Sequence, residues 1–103
     1  MYIWEIFLME CAYLGKPIFP TKEALTELSN LNLDLYDVQE ILENGFHLRK
    51  RKKNITEKAL RKGNKIINVV VVELGNYYKL IHVGRFSVNK KFKQAMQEEK
   101  NGL

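Results

Sequence analysis

The chain has 103 residues, of which 46% are hydrophobic and 28% are charged, and its formal net charge is +5. This length and composition are typical of one soluble domain with its own core, and they exclude global disorder. The single cysteine, Cys11, excludes an intramolecular disulfide, and no Cys/His spacing typical of a zinc site is present. We therefore expect neither a metal nor a cofactor.

The charges are divided unevenly along the chain. Residues 1–45 carry two basic and eight acidic side chains, a net charge of −6, whereas residues 46–103 carry fifteen basic and four acidic ones, a net charge of +11. Nine of the nineteen residues in the stretch 47–65 are Lys or Arg, and only Glu57 opposes them. A basic half of this size attracts polyanions, above all nucleic acid.

The first fourteen residues, MYIWEIFLMECAYL, are apolar at 12 positions. They are too few to span a bilayer, which takes about 20 apolar residues, and Glu5 and Glu10 argue against a secretory signal. We expect a cytoplasmic protein with no membrane contact, in which residues 1–15 form an apolar extension. The Gly15-Lys16-Pro17 pattern predicts that a helix ends there. This segment is interpreted either as a buried core element or as a sticky surface for a second copy or a partner protein.

Two further helices are predicted. Thr21 can cap the first of them, and Asp34 can cap the second, which Gly45 would end. The second has an apolar stripe and an acidic exposed face, so it is interpreted as scaffold.

From residue 46 onward the hydrophobic pattern has a period of two. The run 66–74 is nearly all apolar and β-branched, which is typical of a central strand covered on both faces, and it lies between two Gly-Asn hairpin signals. Strands are predicted at about 46–52, 56–62, 65–74 and 77–86, followed by a basic helix after Ser87 or Asn89. The predicted fold is α+β, with N-terminal helices packed on a four-stranded antiparallel meander sheet and a short basic C-terminal helix. We expect a single domain over residues 1–103.

Two-residue hairpin loops predict which side chains share a face of this sheet. A polar face would collect Glu57, Arg61, Asn68, Lys79 and Arg85. The opposite, apolar face would carry His82 and lie against the helices, and a bulge at either turn would reverse part of this assignment.

The polar face is a candidate anion site. Arg61 and Arg85 could each bind a phosphate bidentately, and Glu57 could orient an arginine or act as a base. The alternative is a solvated sheet face with an ordinary ion pair.

His82 is either a hydrogen-bonded core residue or, if the register slips, a catalytic acid. His47 could also take this catalytic role. The candidate catalytic residues are Arg85, Arg61, Glu57 and His82. The candidate nucleic-acid-binding residues are Arg49, Arg51, Lys53, Arg61, Lys79, Lys90 and Lys91. Few aromatic residues lie nearby, which favours phosphate contact over base readout.

The order LDLYDVQEILENG, a basic strand, KGNKIINVVVVE, then YYKLIHVGRF and a basic helix resembles the small RelE/BrnT-like ribonuclease toxins and related uncharacterised domains, over residues 20–97. The resemblance implies an intracellular toxin that cleaves RNA without a metal and is restrained by an antitoxin protein. It implies that Arg85 is the arginine at the end of the last strand, and that Arg51 and Lys53 stand where the preceding strands carry basic residues. The chain departs from these families in its apolar N-terminus and in lacking a clear Tyr or His near the C-terminus as general acid.

The leading hypothesis is an RNA-directed protein of RelE-like type, with metal-independent endoribonuclease activity as the reaction that the resemblance implies. Its partners would be RNA, including ribosome-associated RNA, and an antitoxin. The first alternative is a non-catalytic nucleic-acid-binding protein with the same surface. The second is a protein-interaction module that acts through the apolar N-terminal helix, with a homodimer formed through residues 1–14 as one form of it.

Overall fold

The computed structural model describes residues 11–49 and 51–88, and within these ranges the chain forms two helices and a six-stranded mixed sheet. The elements in chain order are β1 (Ala12–Tyr13), β2 (Lys16–Pro20), α1 (Lys22–Asn30), α2 (Leu35–Asn44), β3 (Phe46–His47), β4 (Ile55–Lys62), β5 (Lys65–Glu73) and β6 (Tyr78–Ser87). The strand order is β1-β2-β6-β5-β4-β3, and the sheet forms a half-barrel. No helix within the described residues has the length and apolar character needed to cross a membrane.

The predicted four-stranded antiparallel meander is wrong, because two strands precede the helices and β2 enters the sheet as a parallel neighbour of β6. The predicted helix before Gly15 is also wrong over Ala12–Tyr13, which form β1. Leu14 and Gly15 have φ of 50° and 80°, as in a type I′ turn, so this glycine turns a hairpin instead of ending a helix. The predicted strand over 46–52 shortens to Phe46–His47. Residues 1–10 and the predicted helix after Asn89 lie outside the described residues.

The predictions for the two central helices are confirmed. The hydroxyl of Thr21 accepts a hydrogen bond from the Ala24 N–H at 3.1 Å at the start of α1. Asp34 and Asp37 form a reciprocal capping box at the start of α2, with bonds of 3.0 and 2.9 Å, and Gly45 is its C-cap. Both helices pack on one face of the sheet, here called the helix face. Its core residues are Ile18, Ala24, Leu28, Val38, Ile41, Leu42, Ile67, Val69, Val71, Tyr78, Leu80 and Val83.

The opposite side of the sheet, here called the second face, is also buried along β5. Ile66 is 0% and Val70 2% exposed there, so β5 is covered on both sides as its apolar run predicts. The register between β4 and β5 is the predicted one, with Glu57 opposite Val70 and Arg61 opposite Ile66. The second face therefore carries polar side chains from β4 among apolar ones from β5.

A bulge in β6 reverses part of the predicted face assignment. Val71 pairs with Leu80 but Val70 pairs with His82, so Ile81 is an extra residue on β6. Because side chains alternate along a strand, every residue beyond the bulge changes face. His82 lies on the second face and not among the core residues of the helix face. Arg85 lies opposite Ile67, on the side of the helix face.

Lys58 of β4 joins α2 to the sheet. Its Nζ donates a 2.7 Å hydrogen bond to the backbone carbonyl of Leu42 in the last turn of α2, and it lies 5.6 Å from the centre of the Tyr13 ring. The last turn of α2 contains no basic residue of its own, so Lys58 supplies the cation that favours a helix C-terminus. Lys58 is 9% exposed, which makes this bond hard for water to replace.

We expect Lys58→Met to lower the free energy of unfolding by about 2 kcal/mol, because the buried carbonyl of Leu42 then has no donor. Urea denaturation followed by circular dichroism measures the change. The matched control is Lys62→Met on the same strand, whose salt bridge to Glu40 at 2.7 Å is solvent-exposed and contributes less than about 1 kcal/mol. Equal losses in the two variants would contradict a special role for Lys58.

Candidate functional site

The basic stretch is organised around one buried carboxylate. The side chain of Glu57 is 0% exposed, and its Oε1 lies 2.9 Å from Nε of Arg49 and 3.0 Å from Nε of Arg51. Its Oε2 accepts a 2.9 Å hydrogen bond from Nδ2 of Asn68 on β5. We call Glu57, Arg49 and Arg51 the arginine clamp. The carboxylate balances one of its two positive charges, so the clamp keeps a net charge of +1.

Both guanidinium groups face the carboxylate of Glu57 with their Nε atoms. An arginine has five N–H donors, and within residues 11–49 and 51–88 no hydrogen bond is found from the terminal amino groups of either arginine. The side chains of Arg49 and Arg51 are 63% and 37% exposed, so these amino groups are within reach of a ligand. A guanidinium fixed at one edge and open at the other suits bidentate binding of phosphate or carboxylate.

The clamp forms one wall of a surface depression of about 640 Å³. The depression is lined by the end of β3, the loop that follows it and the start of β4, through His47, Leu48, Arg49, Arg51, Lys52, Lys53, Ile55, Thr56 and Glu57. Glu57 is the one acidic residue among them, and its carboxylate is already occupied by the arginines. The depression is therefore strongly positive, and Lys52 and Lys53 are exposed at its rim.

The structure separates the other predicted site residues. Nε of Arg61 donates a 2.8 Å hydrogen bond to the carbonyl of Gly63 at the β4–β5 hairpin. Arg61 lies on the second face, whereas Arg85 lies on the side of the helix face, although both stand at the same end of the sheet. Lys79 lies on the second face as predicted, opposite Val72. Lys90 and Lys91 lie outside the described residues. The predicted catalytic set of Arg85, Arg61, Glu57 and His82 is thus not brought together as one site.

His82 has a partner that the sequence does not indicate. Its Nδ1 lies 2.9 Å from Oε2 of Glu27 on α1, and Oε1 of Glu27 accepts a 3.0 Å hydrogen bond from the Val83 N–H. β2 ends at Pro20, opposite Leu80, and α1 then takes its place along the edge of β6. Glu27 thereby satisfies an edge N–H of β6 and orients the imidazole. The side chains of His82 and Glu27 are 49% and 32% exposed.

Gly84 lets two polar side chains lie close against the backbone of β6. A Cβ at position 84 would lie 2.6 Å from Oδ1 of Asn68 and 3.2 Å from Nε2 of His82. The two polar side chains therefore occupy the space that a side chain at position 84 would need. Asn68 also connects this point to the arginine clamp through its bond to Glu57.

The aromatic residues near the basic surface are engaged within the fold. Tyr77 packs against Phe19 with ring centres 5.5 Å apart, and Tyr78 is 5% exposed with its ring 5.3 Å from that of Tyr13. Burial and then the neighbouring carboxylate of Glu73 raise the pKa of Tyr78 above its ordinary value. These two rings therefore pack against other parts of the fold and are not presented as platforms for stacked bases.

Two residues that organise the site carried no usable signal in the sequence. Asn68 was placed on the polar face by the register but had no predicted role, and Glu27 lies 55 positions before His82. No local pattern connects residues so far apart. Among residues 11–49 and 51–88, no cluster of three or more His, Cys, Asp or Glu is arranged to hold a metal ion.

No family model, curated protein or solved structure matches the chain. The resemblance to RelE/BrnT-like toxins stays a prediction.

Proposed function

We propose that the chain is an RNA-directed protein that binds the phosphate backbone through the arginine clamp. The observation that carries the proposal is the buried carboxylate of Glu57, which holds two guanidinium groups at the wall of a basic depression. Burying a carboxylate is costly unless it is paired, and here the pairing fixes two arginines with their outer donors exposed. Such preorganisation lowers the entropy that the arginines lose when they bind an anion.

An extended polyanion fits this surface better than a single small anion. A second exposed basic group, Arg61 near the end of β4 and Lys65 at the start of β5, lies at the other end of β4 from the depression. A nucleic-acid strand can reach both groups at separate phosphates and release several counterions, which a single small anion cannot do. The RelE-like relation and the antitoxin partner remain predictions from the resemblance and add nothing to this argument.

The test measures binding of a labelled single-stranded RNA by fluorescence anisotropy at several salt concentrations. We expect Arg51→Gln to weaken binding about 5- to 20-fold at low salt and to reduce the salt slope by about one phosphate contact. Arg51→Lys keeps the charge but loses the planar guanidinium group that can bind a phosphate bidentately. We therefore expect its RNA affinity to lie between that of Arg51→Gln and that of the unaltered chain.

Lys62→Gln is the matched control, because it removes the same charge from a side chain paired with Glu40 outside the depression. An equal loss of RNA affinity in Arg51→Gln and Lys62→Gln would mean that the clamp contributes to binding only through its charge, as any surface cation does. Absence of binding at about 50 mM salt, where phosphate contacts are strong, would refute RNA binding altogether. A single-stranded DNA of the same sequence shows whether the ribose contributes to affinity.

A further inference from the structure

The second face of the sheet is buried at a place where no described helix or strand lies above it. Ile66 and Ala59 are 0% exposed there. Both helices pack on the opposite, helix face, and the six strands all belong to the sheet itself. Within residues 11–49 and 51–88, this part of the second face therefore has no second layer.

Neighbouring side chains on the sheet do not explain this burial. Ile66 lies between Arg61 of β4, which is exposed, and Phe86 of β6, which is half-buried. Strand side chains stand roughly perpendicular to the sheet, so such neighbours shield the flanks of Ile66 and leave its tip open. An antiparallel sheet with no layer above it commonly leaves that face in water. Complete burial of Ile66 therefore requires a segment that lies across the face.

The loop that carries the arginine clamp covers a different part of the face. Its arginines contact Glu57, which is opposite Val70. Val70 lies four residues from Ile66 along β5, a distance of about 13 Å. The clamp therefore contributes to the burial of Val70 but does not cover Ile66.

The described part of the chain ends beside Ile66. Phe86 is opposite Ile66, and by alternation Val88 lies on the same face two residues later. The Val88 N–H donates a 2.9 Å hydrogen bond to the carbonyl of Asn64 at the β4–β5 hairpin. The C-terminal segment, residues 89–103, therefore starts next to the part of the second face that needs a cover.

The N-terminal segment, residues 1–10, joins the fold on the other side of the sheet. It continues into Cys11, which lines a depression between α1 and α2 together with Leu25 and Tyr36. Those helices pack on the helix face, so a segment that starts there has to pass around the edge of the sheet to reach the second face. The C-terminal segment starts on the second face itself.

The sequence of the C-terminal segment suits an apolar surface near its start. In NKKFKQAMQEEKNGL, Phe92, Ala95 and Met96 have the i, i+3, i+4 spacing that places side chains on one face of a helix. Lysine, glutamine and glutamate occupy most of the other positions, so the remaining faces of such a helix suit water. A helix over the whole segment would extend about 22 Å, which is long enough to cross the buried part of the second face.

We propose that residues 89–103 dock on the second face as a helix that covers Ile66 and Ala59, with Phe92 as its anchor. Docking there does not depend on RNA binding. The segment covers the hairpin end of the face and leaves the arginine clamp open, whose side chains are 63% and 37% exposed. It also hides an apolar strip that would otherwise attract a second copy of the chain.

NMR of the full, unaltered chain tests the position of the segment. We expect nuclear Overhauser effects between the ring protons of Phe92 and the methyl groups of Ile66. A sample that mixes isotope-labelled and unlabelled chains separates contacts within one chain from contacts between two. Effects seen only between chains would make a second copy the cover and overturn the proposal. Effects on Ile66 from the ring of Trp4 in place of Phe92, or none from either ring, would overturn it as well.

Phe92→Asp tests whether docking stabilises the fold. We expect it to raise the equilibrium constant of unfolding by about 30-fold or more, because a carboxylate cannot replace the ring against an apolar surface. Gln94→Asp is the matched control, since position 94 lies opposite Phe92 on the predicted helix and keeps its carboxylate in water. We expect it to change the constant less than about threefold. Urea denaturation followed by circular dichroism measures both variants, and equal effects would contradict docking through Phe92.

Discussion

Glu57→Gln is expected to weaken RNA binding about fivefold, although it removes a negative charge from a basic surface. The amide has the size of the carboxylate but only one acceptor oxygen. The carboxylate accepts hydrogen bonds from Arg51 and Asn68 on its two oxygens and also pairs with Arg49, which a single amide oxygen cannot do. The guanidinium groups then lose their fixed orientation, and part of the preorganisation is lost with it.

The same substitution is expected to lower the free energy of unfolding by about 2 kcal/mol. Breaking a fully buried ion pair costs about 3 to 5 kcal/mol, and the partly exposed arginines can recover some of this by turning to water. Anisotropy gives the RNA affinity and urea denaturation gives the stability, so the two effects are measured separately.

The control for this prediction is Glu43→Gln, which removes the same charge from an exposed position on α2. We expect it to leave RNA affinity unchanged or to strengthen it slightly through the gain in net positive charge. If Glu57→Gln strengthened binding as well, charge alone would govern the surface, and the clamp would have no role in recognition.

Gly45→Ala is expected to lower the free energy of unfolding by at least about 3 kcal/mol. A Cβ at this position would lie 2.4 Å from the carbonyl oxygen of Ala59 and 2.4 Å from that of Ile41. Both atoms belong to backbone, one in β4 and one in α2, so neither can move aside without displacing its element. The melting temperature should fall by about 12 °C or more for a domain of this size.

Gly75→Asn is the control, since Gly75 has a φ of 73° and no atom within 4 Å of its Cβ position. Asparagine tolerates this conformation better than other residues, so we expect a loss below about 1 kcal/mol. Thermal unfolding followed by circular dichroism compares the two variants. A similar small loss in both would mean that α2 and β4 can separate slightly at Gly45 without cost.

Local signals predicted the parts of the fold that depend on neighbours in the sequence. The ends of α2 followed from Asp34 and Gly45, and the β4–β5 hairpin followed from Gly63-Asn64. Gly15 was misinterpreted because glycine with positive φ is common both after a helix and in a type I′ turn. The pairing of β2 with β6 depends on contacts between distant residues, which no local pattern encodes.

The candidate site was predicted in composition and only partly in arrangement. Glu57 had two predicted roles, and its contacts with Arg49 and Arg51 favour the one in which it orients arginine. Arg85 and His82 were assigned to the wrong faces because the bulge at Ile81 is marked by no glycine or other special residue. One extra residue in a period of two is enough to exchange the faces of every side chain beyond it.

During synthesis, β2 leaves the ribosome well before β6, the strand with which it pairs in parallel. Ile18 pairs with Tyr78, about 60 positions later, whereas β4, β5 and β6 meet through short turns. Hairpins of this kind close early, and pairings between distant residues close late. The N-terminal half therefore leaves the ribosome with Ile18, fully buried in the finished sheet, still facing water. Docking of β2 onto β6 completes the fold, and until then the chain is most exposed to proteases and to association with other unfinished chains.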